Sequence, residues 1–232
     1  MTLEPEIQRI NIMREKSLHA MLKRWMAKSG DRLEVEVEGF VIDLVRDDLL
    51  IEIQTRNFSS MKKKLSSLLE KHPVHLVHPV AQDRWIVKTA EDGRVLSRRK
   101  SPKHGNYLHV FQELVAIPHL IDHPHLTLEV LLVEDEEIRC DDGKGSWRRK
   151  GWSIRDRRLL TVVEGRVFTS SSDLLKLLPE GLPDEFTTAE LAKQIKQTRA
   201  FARKVIYSLK HMGAIVQVGK RGRAPLYQIV RK

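Results

Sequence analysis

Cysteine is almost missing from the chain: Cys140 stands alone among 232 residues. A single thiol excludes an intrachain disulfide framework and any thiolate metal cluster. No run of 18 or more apolar residues occurs, so no transmembrane helix is expected. The opening residues Met1-Thr2-Leu3-Glu4-Pro5-Glu6 are acidic and lack an apolar stretch, so no signal peptide is expected either. These absences predict a cytoplasmic protein with no membrane partner. There is no internal repeat, no nucleophile elbow, no H-E-x-x-H and no dinucleotide-binding glycine pattern. Asp142-Gly143-Lys144-Gly145-Ser146 lacks the upstream glycine of a phosphate-binding loop and reads as a turn.

Acid is scarce in one place. Between Thr187 and Lys232 there are eleven lysines and arginines, and Glu190 is the one acid. The formal charge of the whole chain is +10, so residues 1–186 are balanced and the excess sits in the last fifth. Such asymmetry marks an appended nucleic-acid-binding module. At 41% hydrophobic and 31% charged, the chain as a whole has the composition of a globular protein with a core.

Periodicity orders the elements. Leu18, Met21, Leu22 and Trp25 predict a helix within 4–28, ended by Ser29-Gly30-Asp31. Leu33, Val35 and Val37 alternate with Glu34, Glu36 and Glu38, and two β-rich runs follow, Phe40–Val45 and Leu49–Ile53. Residues 59–71 return to helical spacing through Met61, Leu65, Leu68 and Leu69. Val74–Val77 and Trp85–Lys88 read as short strands. Residues 89–106 read as a hairpin and a basic loop, Tyr107–Ile117 as a helix, Leu126–Arg139 as a long strand, Cys140–Arg158 as a polar stretch and Leu159–Phe168 as a strand. Three segments are expected, 1–88, 89–169 and 170–232. The middle one either extends the first sheet or leads into the last segment.

The chemically pointed feature lies in Gly39–Gln54. With Asp47-Asp48 as a two-residue turn, Arg46 pairs with Leu49, and Asp43 falls directly opposite Glu52. Paired positions sit roughly 4.5–5.5 Å apart at Cβ. Two carboxylates so placed among apolar neighbours repel and are costly to desolvate, and a divalent cation between them removes the conflict. Gln54 lies two residues on, on the same face.

An Asp, then eight residues, then Glu-x-Gln, on a hairpin between two helices, resembles the PD-(D/E)XK nuclease superfamily, to which restriction endonucleases and archaeal Holliday-junction resolvases belong. The resemblance covers roughly residues 10–88. It implies an α/β (α+β) fold with a mixed sheet flanked by helices. It also implies a metal site of Asp43 and Glu52 holding Mg²⁺ or Mn²⁺, and hydrolysis of DNA phosphodiesters. Many members add a Glu from the first helix, and Glu15 lies along that helix's apolar stripe. The position of the superfamily's catalytic Lys holds Gln54. Three readings stay open: Gln54 keeps the role, a Lys of the following helix (Lys62, Lys63 or Lys64) has taken it over, or activity is lost.

The C-terminal segment resembles a winged helix-turn-helix domain. Ser171–Leu178 is one helix, Thr188 begins a second, and Phe201, Val205, Ile206, Leu209 and Met212 line a third that Gly213 ends. Two strands follow, around a basic tip. The resemblance implies that Gln197, Thr198, Arg199, Arg203 and Lys204 face DNA from the third helix. Lys220, Arg221 and Arg223 would meet it from the tip. The expected function is divalent-metal-dependent DNA cleavage with DNA positioned by this module, with a homodimer suited to duplex cutting. The alternative is a non-catalytic DNA-binding regulator or accessory subunit on a vestigial nuclease-like fold. His72, His75 and His78, and the cluster His119, Asp122, His123 and His125, read as ordinary histidines rather than metal ligands. Trp147–Trp152 reads as a packed loop, with stacking on bases as the second reading.

Overall fold

The structure, a computed structural model, describes residues 18–230; Glu15 lies outside them. It is mixed α and β. A seven-stranded sheet runs in the order β1-β2-β3-β4-β6-β7, with β5 paired to β4. The strands are β1 (Arg32–Val37), β2 (Phe40–Arg46), β3 (Leu49–Ile53), β4 (Val74–Thr89), β5 (Val95–Lys100), β6 (Leu126–Asp141) and β7 (Trp152–Phe168). The helices among them are α1 (Leu18–Met26), α2 (Lys62–Leu68) and α3 (Phe111–Leu114). No helix among the described residues is long and apolar enough to cross a membrane.

Contacts divide the chain into two compact units, each assembled from three stretches. One takes residues 32–78, 107–130 and 166 onward. In it β1, β2 and β3 form an antiparallel meander. β3 then crosses through α2 to the parallel first part of β4, with Ile53 opposite Val77. Parallel neighbours need such a crossover, and the apolar stripe of α2 covers the sheet face. Phe58, Met61, Leu65 and Leu68 are buried from the helix side, and Ile42, Leu44, Ile51 and Ile53 from the sheet. β3 is buried on both faces, as a central strand should be.

The same unit ends in α4 (Ser171–Leu175), β8 (Glu185–Thr187), α5 (Thr188–Gln194), α6 (Arg199–His211), β9 (Ile215–Arg221) and β10 (Ala224–Ile229). A second sheet has the order β8-β10-β9. Thr187 and Glu190 form a reciprocal capping box at the start of α5, and Thr198 caps α6 through Phe201 N. The Phe201 ring of α6 lies 5.5 Å from His109, so this module packs on the unit that carries the hairpin.

The other unit takes residues up to 31, 79–106 and 131–165. Its centre is ionic. The Arg84 guanidinium donates to both carboxylate oxygens of Asp135, each at 2.6 Å, and Glu137 receives Arg84, Arg139 and Arg157. Asp135 is fully buried and Glu137 nearly so.

Three elements differ from expectation. The two short strands at 74–77 and 85–88 are one 16-residue strand. Pro79 does not break it because the β3 pairing ends at Val77, where a missing N–H costs little. The polar stretch 140–158 carries strand at both ends, since β6 runs to Asp141 and β7 begins at Trp152. Cross-strand ion pairs replace the apolar alternation there. The helix expected over 107–117 is a 3-10 turn, Tyr107–Val110, and the short α3. The middle segment extends the sheet through β6 and β7.

Candidate functional site

The β2–β3 register is the expected one. Arg46 pairs with Leu49, Val45 with Leu50 and Leu44 with Ile51; the pairing ends there, one step before Asp43 and Glu52, which lie close enough to interact. Asp47 takes a left-handed backbone at the turn (φ 50°), a conformation Asp tolerates better than most residues. Asp43 Oδ2 accepts a hydrogen bond from Ile53 N at 2.9 Å, so its carboxylate is fixed across the neighbouring strand. Glu52 is 4% exposed. Burial pushes its carboxyl above the usual range; nearby Asp43 pushes the same way, and Lys64 pulls it down.

Lys64 completes the group. Its Nζ lies 2.5 Å from Glu52 Oε1 and donates to Val41 O at 2.6 Å. The residue comes from the third position of α2, beside the buried Leu65. Lys62 and Lys63 are exposed, whereas the Lys64 side chain is only 18% exposed. A buried carboxylate and a largely buried ammonium at this distance offset each other's desolvation.

Gln54 has a different neighbourhood. Its amide donates to Arg56 O at 2.6 Å and to Asn57 O and Ser60 Oγ at 3.2 Å. It braces the loop that leads into α2, and so acts on the segment that delivers Lys64. The contribution of Glu15 lies outside the described residues.

Among the described residues no group of three or more His, Cys, Asp or Glu side chains is arranged to hold a metal ion. The hairpin offers two carboxylates. Two hard oxygen ligands with the remaining positions left to water and phosphate is a donor set that Mg²⁺ accepts. Three of the candidate histidines, His75, His78 and His125, are engaged elsewhere. His75 Nε2 meets Glu129 at 2.8 Å, and His125 Nδ1 meets Leu69 O at 2.9 Å. His78 is held near-buried against Gln54 O and the Phe58 ring, and burial pushes its pKa down. Asp122 accepts from Ser171 N.

On the C-terminal module Arg199, Arg203 and Lys204 are exposed along α6, and Lys220 and Arg223 at the β9–β10 tip. Arg221 turns back from the tip: its guanidinium lies 2.6 Å from Glu190 Oε1. The Thr198 hydroxyl is occupied as the α6 cap, and Gln197, just before it, is half-buried. Trp147 is 82% exposed with Arg148 over its ring, while Trp152 is covered by Lys88 at 4.1 Å.

The sequence pattern brings Asp43 and Glu52 together but leaves Lys62, Lys63 and Lys64 without a choice among them. The available signal was position: Lys64 immediately precedes the apolar stripe of α2, and its two neighbours face outward.

The family model described as "Domain of unknown function (DUF8091)" matches residues 16–169. A protein described as "Uncharacterized protein" from Treponema pallidum (strain Nichols) is 36% identical over 220 residues, covering 94% of this chain and 87% of its own. No solved structure matches the chain.

Proposed function

The chain belongs to the DUF8091 family, and from the chemistry of the hairpin we propose that it hydrolyses DNA phosphodiesters with a divalent cation, Mg²⁺ or Mn²⁺. The observation that carries this reading is the convergence of Asp43, Glu52 and Lys64. Two interacting carboxylates on adjacent strands of a hairpin, one of them desolvated, suit a cation better than they suit a core. A cation held there would polarise a phosphate oxygen and lower the pKa of an attacking water.

The chain's own residues divide the remaining work. Asp43 and Glu52 are the ligands. Lys64 supplies positive charge beside them, which Gln54 at the E-x-K position cannot do. The ammonium would stabilise charge developing on the phosphate and keep Glu52 ionised before a cation arrives. Of the three readings left open by the sequence, transfer of the lysine role to the following helix is the one this geometry favours.

The order helix, short strand, two helices and hairpin, with the short strand paired into the hairpin, supports reading residues 170–230 as a winged helix. Arg199, Arg203 and Lys204 would then meet DNA along α6, with Lys220 and Arg223 on the flanking backbone. Arg221 contributes less, being tied to Glu190. The test is plasmid nicking with Mg²⁺ or Mn²⁺, comparing wild type with Asp43→Ala, Glu52→Ala and Lys64→Ala. Cleavage that needs the cation and all three residues supports the proposal. Binding without cation-dependent cleavage selects the non-catalytic regulator.

A further inference from the structure

β7 ends the strand order, and among the described residues it pairs with β6 alone. The stretch from Leu160 to Val167 is largely open to solvent: Leu160, Val163 and Val167 are 43%, 49% and 50% exposed, and Glu164, Gly165 and Arg166 are exposed with them, while Phe168 beyond them is buried. A long apolar edge strand is a template for another strand unless charges, proline or a covering element blunt it. Proline is absent from this stretch, and its two charges are of opposite sign.

Those charges are arranged about a centre. The stretch reads Val163-Glu164-Gly165-Arg166-Val167. If two copies pair antiparallel about a two-fold axis through Gly165, each Glu164 faces the second copy's Arg166, and each Val163 faces the second copy's Val167. A two-fold contact must be self-complementary, residue i meeting j while j meets i. An unrelated partner would impose no such symmetry on this strand.

The backbone agrees with the pairing. The Leu159 amide donates to Met21 Sδ at 3.3 Å, so in a regular strand the amides of 161, 163, 165 and 167 also point away from β6. The two Gly165 residues would then exchange both N–H···O bonds. Glu164 and Arg166 would fall in the closely spaced pairs without backbone bonds, where side chains approach best. The Arg166 guanidinium already lies over the Tyr107 and Phe168 rings, at 5.9 and 5.5 Å, which holds it on its face of the strand.

We propose that the β7 edge is a self-pairing surface, and that its occupant is β7 of a second copy of this chain, centred on Gly165. The proposal is independent of the phosphodiesterase reading, and its readout is mass rather than activity. The experiment is size-exclusion chromatography with light scattering on the full chain over a concentration series, with circular dichroism confirming the fold. Wild type should run as a dimer. Glu164→Arg or Arg166→Glu alone should raise the dissociation constant about tenfold or more, because each places like charges opposite one another twice. The double reversal Glu164→Arg with Arg166→Glu restores opposite charges and should restore the dimer. A wild type that stays monomeric throughout, single reversals that leave the dimer intact, or a double reversal as weak as the single ones would each overturn the assignment.

Discussion

Replacing Lys64 by methionine keeps most of the side chain's apolar stem and deletes the ammonium 2.5 Å from Glu52 Oε1. The Glu52 side chain is 6% exposed, and burial together with Asp43 already raises its pKa against the pull of Lys64. Without Lys64 the carboxylate is either an uncompensated buried charge or a neutral acid. Leaving one partner of a buried pair alone costs about 3–5 kcal/mol. Protonation caps that cost: neutralising a carboxyl of ordinary pKa costs about 4 kcal/mol at pH 7 and about 1 kcal/mol at pH 5. Water reaching the Lys64 position, whose side chain is 18% exposed, lowers both figures.

A carboxyl whose folded pKa is raised stabilises the fold fully below its ordinary value, and that contribution is lost as pH rises through the folded value. The deficit of Lys64→Met relative to wild type should therefore be small near pH 5 and grow towards pH 8. Urea unfolding at the two pH values measures it. Adding Glu52→Gln to Lys64→Met should remove most of the pH dependence. A deficit equal at both values, or larger at pH 5, would refute the assignment of Lys64 as the charge partner of a desolvated Glu52.

Other consequences follow from the same geometry. Arg199→Ala with Arg203→Ala should weaken DNA binding at low salt and reduce the slope of log affinity against log salt by about 2, read by fluorescence anisotropy. An unchanged slope would assign the exposed bases of α6 to another partner. Arg84→Met strands the fully buried Asp135 and should cost about 3–5 kcal/mol in urea unfolding. A loss under about 1 kcal/mol would mean the network contributes little net stability. Gln54→Leu should leave stability nearly intact while lowering cleavage through Lys64, since the amide braces the exposed loop before α2. Cleavage equal to wild type would show that the loop needs no such brace.

The register from Arg46–Leu49 to Leu44–Ile51 was legible because a two-residue turn at Asp47-Asp48 fixes it by counting, and side-chain direction follows from strand period. Lys64 was legible only as one of three, since consecutive lysines look alike until the packing of Leu65 and Leu68 decides which one points inward. The lengths of β4 and β7 were hidden for another reason. Arg84 of β4 and Arg157 of β7 both pair with acids of β6, Asp135 and Glu137, so the apolar alternation that signals a strand is replaced by charges that read as loop. The symmetry about Gly165 was present in the sequence throughout. It gained meaning only once β7 stood at the end of the sheet.

The most direct test of the central claim is plasmid nicking by purified protein across a Mg²⁺ and Mn²⁺ titration, with Asp43→Ala, Glu52→Ala and Lys64→Ala run in parallel. The account predicts cleavage that requires the cation, disappears with either carboxylate and falls sharply without Lys64. Cleavage that persists in chelator or survives loss of both carboxylates would contradict it, as would a wild type that binds DNA and never cuts.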